Sequence, residues 1–379
     1  VASPRQIRNP GDVAAVLSPI LGMEHDKLER IFSTDRAFSY VAHQVSESTE
    51  KKIRTLLDSP RLAPVLKGVR LEKVFKRYYP KREIAAQILG WTNIDNDGVT
   101  GLEKGLDKQF NSWIHGGQHR IDAFKGNGSL ALLSEVLPAL KASPPRVETT
   151  IDLHIQAQTE RILEQTLQKT FARRASAIIL DVSTGEIITM AHVPRIDPNM
   201  WLSASPSDRI PWSVLQAFEP GSVIKPLTIA AALDAGVITP ETVFDTHGGK
   251  LRIADRTIRD LRPMKEATVK EILQHSSNIG TAMIAQKVGQ DEIYAVFKRA
   301  GFGTVTGLPL PHEASGSLRR GKKGWDTVSF ANISFGQGLS VTSLQLVSAF
   351  AALGNEGRLM APRLIRKIEG TDGQILYEA

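Results

Sequence analysis

At 379 residues and 41.5 kDa the chain is long enough for two domains, each with its own core. It has 0 Cys, which excludes disulfides, thiol nucleophiles and thiolate metal sites. The net charge of +7 comes from scattered Lys and Arg without interleaved aromatics, which excludes a nucleic-acid platform and suits an anionic neighbour such as a lipid surface or cell-wall polymer.

Residues 1 to 145 are polar and rich in turns, and are expected to form one domain. Gly11-Asp12 opens a helix pattern with Val13, Val16, Leu17, Ile20 and Leu21 on its apolar side. A charged helix start follows, where Ser46 or Ser48 caps Glu47, Glu50, Lys51 and Lys52. Turn signals recur at Asp95-Asn96-Asp97-Gly98, His115-Gly116-Gly117-Gln118 and Gly126-Asn127-Gly128. Ser143-Pro144-Pro145 reads as a stiff linker into a second domain, residues 146 to 379. There Val147 to Ile151 predicts a short strand and Asp152 the cap of a helix with Ile155, Ile162, Leu163 and Leu167 on one face. Ala175 to Asp181 predicts a buried strand, Ser183-Thr184-Gly185-Glu186 a turn, and Ile187 to Ala191 its antiparallel return. Pro194, Asp197-Pro198-Asn199 and Pro206 mark an irregular run. Further on, Thr342 and Gln345 have capping-box spacing ahead of a helix through Leu353, with Gly354 as its stop. Strand, helix, hairpin and helical insert in this order predict an α+β fold, an antiparallel sheet flanked by helices.

The most informative stretch is Glu219-Pro220-Gly221-Ser222-Val223-Ile224-Lys225. Pro-Gly forces a turn, a hydroxyl opens an apolar helical run (Val223, Ile224, Leu227, Ile229, Ala230), and a lysine stands one turn later. At i, i+3 Ser222 and Lys225 share a face, roughly 5–6 Å apart at Cβ. A dry, neutral amine there can take the serine's proton, and the helix N-terminus aims amides at a forming oxyanion. Ser48-Thr49-Glu50-Lys51 repeats the spacing, but its charged surroundings cannot desolvate the lysine. Downstream, Ser276-Ser277-Asn278 lies where two short helices meet. Alone it is ordinary loop chemistry, side chains bonding their own backbone; beside Glu-Pro-Gly-Ser-x-x-Lys it reads as a proton relay and an amide holder. The histidines form no metal-ligand pair on a plausible helix.

These two motifs together resemble the penicillin-binding proteins. Phe218-Glu219-Pro220-Gly221-Ser222, and Ser334-Phe335-Gly336-Gln337-Gly338 followed by Val341-Thr342-Ser343-Leu344-Gln345-Leu346, are similar to the class B, division-type D,D-transpeptidases, with Ser343 where that family usually has proline. Arg77-Tyr78-Tyr79-Pro80, Ala85-Ala86-Gln87-Ile88-Leu89-Gly90 and Gly101-Leu102-Glu103 resemble that family's non-catalytic pedestal. The resemblance implies a penicillin-recognising serine transferase fold behind the pedestal. It implies a septal peptidoglycan D,D-transpeptidase with Ser222 as nucleophile, Lys225 as base, Ser276 as proton shuttle and Asn278 as holder of the substrate amide. No cofactor or metal is implied. The implied partners are stem peptides or a lipid-linked precursor, β-lactams as suicide substrates, and a membrane glycosyltransferase with other division proteins meeting the pedestal. The implied location is the periplasmic face of the inner membrane, behind an N-terminal anchor.

The family's third motif, Lys-Thr-Gly or Lys-Ser-Gly, does not occur after Asn278. Half of the oxyanion hole and the cationic clamp for substrate carboxylate go with it, and one such donor is worth ~2.7–4 kcal/mol of barrier. The chain is therefore expected to be a fragment cut at both ends and nearly inactive alone. Two other classes remain open: a serine β-lactamase or D,D-carboxypeptidase that uses water as acceptor, and a non-catalytic scaffold. Glu219 and Gln337 are expected to be structural.

Overall fold

In a computed structural model, the described residues are 1–74, 76–110, 146–321, 324–370 and 373–379. The expected linker Ser143-Pro144-Pro145 and the turns at His115 and Gly126 lie outside them. Two compact units emerge. One comprises Val1–Tyr78 with Thr92–Asp97, and the other Tyr79–Trp91 with Gly98–Ala379. The Ala85–Gly90 and Gly101–Glu103 motifs thus pack with the residues that carry Ser222.

In the first unit, α1 (Pro10–Leu21), α2 (His25–Phe32) and α3 (Glu47–Leu57) gather round Val13, Leu17, Leu28, Phe32 and Ile53. Helix α1 has proline in its first turn, and left-handed Gly22 stops it. Ser46 is the residue that caps α3, its Oγ accepting from the Thr49 N–H at 3.1 Å. Lys51 of the decoy motif is 71% exposed and pairs with Glu47 at 2.8 Å.

The second unit begins with α4 (Ala86–Leu89) and α5 (Gly101–Phe110). Strand β1 (Arg146–Thr149) leads to α6 (Leu153–Thr170), capped by Asp152 accepting from the His154 and Ile155 N–H groups at 2.9 Å. Strands β2 (Ala175–Leu180) and β3 (Ile187–Val193) form the expected hairpin, and Asp181 Oδ1 gathers four donors from Ser183 and Thr184 at its turn. After α7 (Trp212–Leu215) and α8 (Lys225–Asp234), the short strands β4 (Val243–Asp245), β5 (Lys250–Ile253), β6 (Arg256–Arg259) and β7 (Glu266–Thr268) pair as β4–β7 and β5–β6. Helices α9 (Val269–Gln274), α10 (Asn278–Val288), α11 (Gln290–Arg299), α12 (Thr327–Ser334) and α13 (Ser343–Gly354) follow. Thr342 and Gln345 complete the expected capping box on α13. Strands β8 (Ile365–Glu369) and β9 (Ile375–Glu378) close an antiparallel sheet in the order β1-β8-β9. The result is the expected α+β architecture of antiparallel sheets and flanking helices.

Two expectations about burial fail. The Ile155 and Ile162 side of α6 is exposed (40% and 56%), whereas Gln156 and Glu160 are buried. Polar groups win because they have backbone partners to satisfy. Gln156 exchanges hydrogen bonds with the Met190 N–H and C=O, and also meets Thr189 and Glu160. Glu160 accepts from the Ala85 N–H at 2.9 Å, at the start of α4. Strand β2 is only half-buried, with Ile179 exposed.

Burial raises the Glu160 pKa above its ordinary value, against the Ala85 N–H and Gln156 hydrogen bonds that lower it. A raised folded-state pKa stabilises fully below the unfolded value and is lost as pH rises through the folded one. In urea titrations, Glu160→Gln should therefore gain on the wild type as pH rises from about 4.5 to 7. A stability difference that stays flat over that range would show that Glu160 has no perturbed titration.

Candidate active site

Ser222 sits in a 3₁₀ turn, Gly221–Ile224, that runs directly into α8. Gly221 enters the turn at φ +57°, a left-handed conformation that a residue with Cβ avoids. A second segment, Ser334–Val341, holds this entry in place. Phe218 and Val341 exchange two backbone hydrogen bonds of 2.9 Å, and the Gly221 N–H donates to Gly336 O at 2.9 Å. Glu219 accepts from the Gly338 N–H at 2.8 Å, and Thr228 Oγ1 donates to Ser334 O at 2.7 Å. A Cβ on Gly336 would meet Gly221 O at 2.0 Å, and the residue has φ +91°. Both conspicuous motifs around Ser222 thus form one backbone clamp, with Glu219 as a strut and Gln337 exposed.

Ile224 and Leu227 anchor α8 in a core shared with Ala285, Phe297, Phe302 and Val341. Val223, counted in the sequence as part of the apolar run, is instead 51% exposed. Adjacent helical positions cannot face the same way. Ser222 is exposed too, and its hydroxyl has no hydrogen-bond partner among the described residues.

Lys225 is 1% exposed. Its Nζ donates to Ser276 O at 2.5 Å, Ser276 Oγ at 2.9 Å and Asn278 Oδ1 at 2.8 Å. All three protons of the ammonium are thereby used. Burial nevertheless pulls its pKa down from 10.5 to about 8, with the Asp260 carboxylate resisting the fall. The acceptors come from the turn between α9 and α10. Ser276 takes the left-handed region there, φ +55°, which turns its carbonyl and hydroxyl onto the same amine. Ser277 caps α10, accepting from the Gly280 N–H at 2.9 Å.

The fold therefore brings Lys225, Ser276 and Asn278 into direct contact, with Ser222 one turn before the lysine on the same helical face. The Asn278 amide is not exhausted: Nδ2 donates to Arg259 O at 3.1 Å and keeps a second N–H. Sequence reasoning missed Asp260, which has no local signal, since nothing near the Arg259-Asp260 step points to residues 277 to 279. A different Ser–His contact, Ser213 Oγ with His192 Nε2 at 2.7 Å, is fully buried, with the His192 pKa lowered by burial to about 3. No substrate reaches it. Among the described residues one cluster has metal-compatible spacing, His25, Asp26 and Glu29 on the exposed face of α2.

The penicillin-binding protein transpeptidase domain model matches residues 175–377, over half of the chain. The chain belongs to that family. Over 376 residues it is 31% identical to the peptidoglycan D,D-transpeptidase FtsI of Escherichia coli K12, covering 97% of this chain and 61% of that relative's length. Among solved structures, penicillin-binding protein 3 of Mycobacterium tuberculosis superposes with a TM-score of 0.69 at 29% identity, over 80% of this chain and 64% of that one. The same mycobacterial protein is also solved in complex with aztreonam. A peptidoglycan synthetase from Bifidobacterium adolescentis shares the fold over 98% of this chain and 65% of its own, with a TM-score of 0.70 at 24% identity.

The close approach of Gly336 to Gly221 holds the Ser222 turn in place. Gly336→Ala should cost at least ~2 kcal/mol through backbone strain and the clash with Gly221 O. Thermal unfolding would register this as a drop of several degrees, and an unchanged midpoint would show that the two segments are not locked together.

Proposed function

We propose that the chain is the reactive part of a septal peptidoglycan D,D-transpeptidase, with Ser222 as its nucleophile. The observation that carries this reading is the Lys225 amine, kept dry one turn beyond an exposed serine and held by Ser276 and Asn278.

The chemistry starts with loss of one Lys225 proton, which a pKa of about 8 makes accessible near neutrality. The neutral amine keeps two of its three donations and takes the Ser222 proton. The Ser222 oxygen attacks the carbonyl between the two D-alanines of a stem peptide, and the developing oxyanion meets the Ser222 N–H at the helix start. The C–N bond then breaks, and Ser276 passes the proton from Lys225 to the departing D-alanine nitrogen. An amine from a neighbouring stem attacks the resulting ester, forms the cross-link and returns the proton to Ser222. The free Asn278 Nδ2 N–H holds the substrate's backbone carbonyl throughout. A β-lactam enters the same first step, but its opened ring stays attached and blocks the second.

The names of the relatives support this reading, and it extends to their setting: stem peptides or a lipid-linked precursor as substrate, and the extracytoplasmic face of the membrane as location. A membrane glycosyltransferase and other division proteins are the proposed partners of the first unit. No helix among the described residues is long and apolar enough to cross a membrane.

Fluorescent penicillin added to the full gene product should leave a stable adduct on the peptide containing Ser222, absent in Ser222→Ala. Lys225→Met should slow acylation by ~10²–10⁴-fold. Because the base must be neutral, the wild-type rate should climb with pH and level off above about 8. Rapid release of the adduct would indicate a hydrolase instead, and no adduct a scaffold.

A further inference from the structure

The hairpin β5–β6 ends at Asp260, a residue that belongs to neither Ser-x-x-Lys nor Ser-Ser-Asn. Its own N–H is tied to Gly249 O at 3.1 Å, which fixes the end of the hairpin. From there the carboxylate reaches across to the turn between α9 and α10. Oδ2 accepts from the Ser277 hydroxyl at 2.6 Å. Oδ1 accepts from the backbone N–H groups of Asn278 at 2.6 Å and Ile279 at 3.1 Å. The neighbouring Arg259 carbonyl takes the Asn278 side-chain N–H. These contacts cover both sides of Asn278 and the residue after it.

We infer that Asp260 is a positioning residue of the acylation site: a carboxylate supplied from outside α10 that holds the Ser276–Asn278 turn against the Lys225 amine. Two observations converge on it. The left-handed Ser276 closes α9, its N–H donating to Leu273 O at 3.2 Å and the Ser277 N–H to Ile272 O at 2.9 Å, so the end of α9 fixes one side of the turn. Asp260 fixes the other side by gripping the next three residues. The first amides of a helix also favour a negative charge, so the carboxylate is held firmly at the start of α10.

The charge has a second consequence, opposite in sign. Asp260 stabilises the Lys225 ammonium and so resists the effect of burial. No other charged side chain on the elements packed against α8, including Lys270 and Glu271 on α9, Lys287 on α10 and Glu292 on α11, acts on this amine among the described residues. The carboxylate therefore makes the site well ordered while holding back the neutral base. An uncharged replacement separates these effects, and a residue that merely supported folding would not.

The inference rests on the transpeptidase reading, and its test is arranged to tell the two apart. The full gene product, wild type and Asp260→Asn, would be compared in two ways: the penicillin acylation rate from pH 5 to 10, and the ¹³Cε titration of Lys225 by NMR. Asp260→Asn keeps the shape and one acceptor. Its acylation plateau should fall severalfold, and its Lys225 midpoint should move down by roughly half a unit to one unit. A wild type that penicillin does not acylate would sink the transpeptidase reading, while the Lys225 titration would still report on Asp260. An acylated wild type with an unmoved plateau and midpoint in Asp260→Asn would overturn the inference. Should Asp260→Asn fail to fold, Ser277→Ala removes the hydroxyl's bond to Asp260, together with its cap on the Gly280 N–H, and leaves the charge. Its plateau should fall with the midpoint unmoved, and an unchanged plateau would overturn the inference equally.

Discussion

A lysine amine with almost no access to water is the constraint round which the second unit is arranged. Burying an ammonium without partners is prohibitive. The fold answers with three oxygen acceptors, two from Ser276 and one from Asn278. That answer has structural costs elsewhere. Ser276 must adopt a left-handed backbone, two helices must meet at that turn, and a hairpin must deliver Asp260 to secure it. The same burial that demands these partners lowers the proton affinity of the amine, so structural and chemical requirements are one requirement.

The second constraint is steric. The Ser222 turn and the Ser334–Val341 segment approach until backbone touches backbone, and glycine at 336 is what permits it. This clamp sets the serine at the protein surface while its helix is anchored below by Ile224 and Leu227. Exposed hydroxyl above, dry amine beneath, is the arrangement an acyl-transfer nucleophile needs. The attacking atom must meet a large substrate, whereas its base must not meet water. The decoy Ser48-x-x-Lys51 shows the contrast within one molecule, with the same spacing on a charged helix and a lysine in solvent.

Much of the framework was legible because local signals agree with the global fold. Asp152 and Thr342 cap the helices that follow them, and the Ser183–Glu186 turn joins the two strands of its hairpin. The α6 face was misread for a physical reason. Periodicity counts apolar residues, but Gln156 and Glu160 are drawn inward by backbone groups of β3 and α4 that a pattern cannot see. Val223 failed likewise, since a stretch of consecutive apolar letters says nothing about which of them faces inward.

The sequence by itself determined that a serine and a lysine stand one turn apart where a helix begins, because Ser222 and Lys225 are near neighbours in the chain and their spacing is local. Only the tertiary structure decided that the amine is dry, that Ser276 and Asn278 accept its hydrogen bonds, and that Asp260 holds them there. Desolvation and hydrogen bonding between residues some fifty positions apart depend on how helices pack and hairpins reach, and no spacing along the chain encodes that distance.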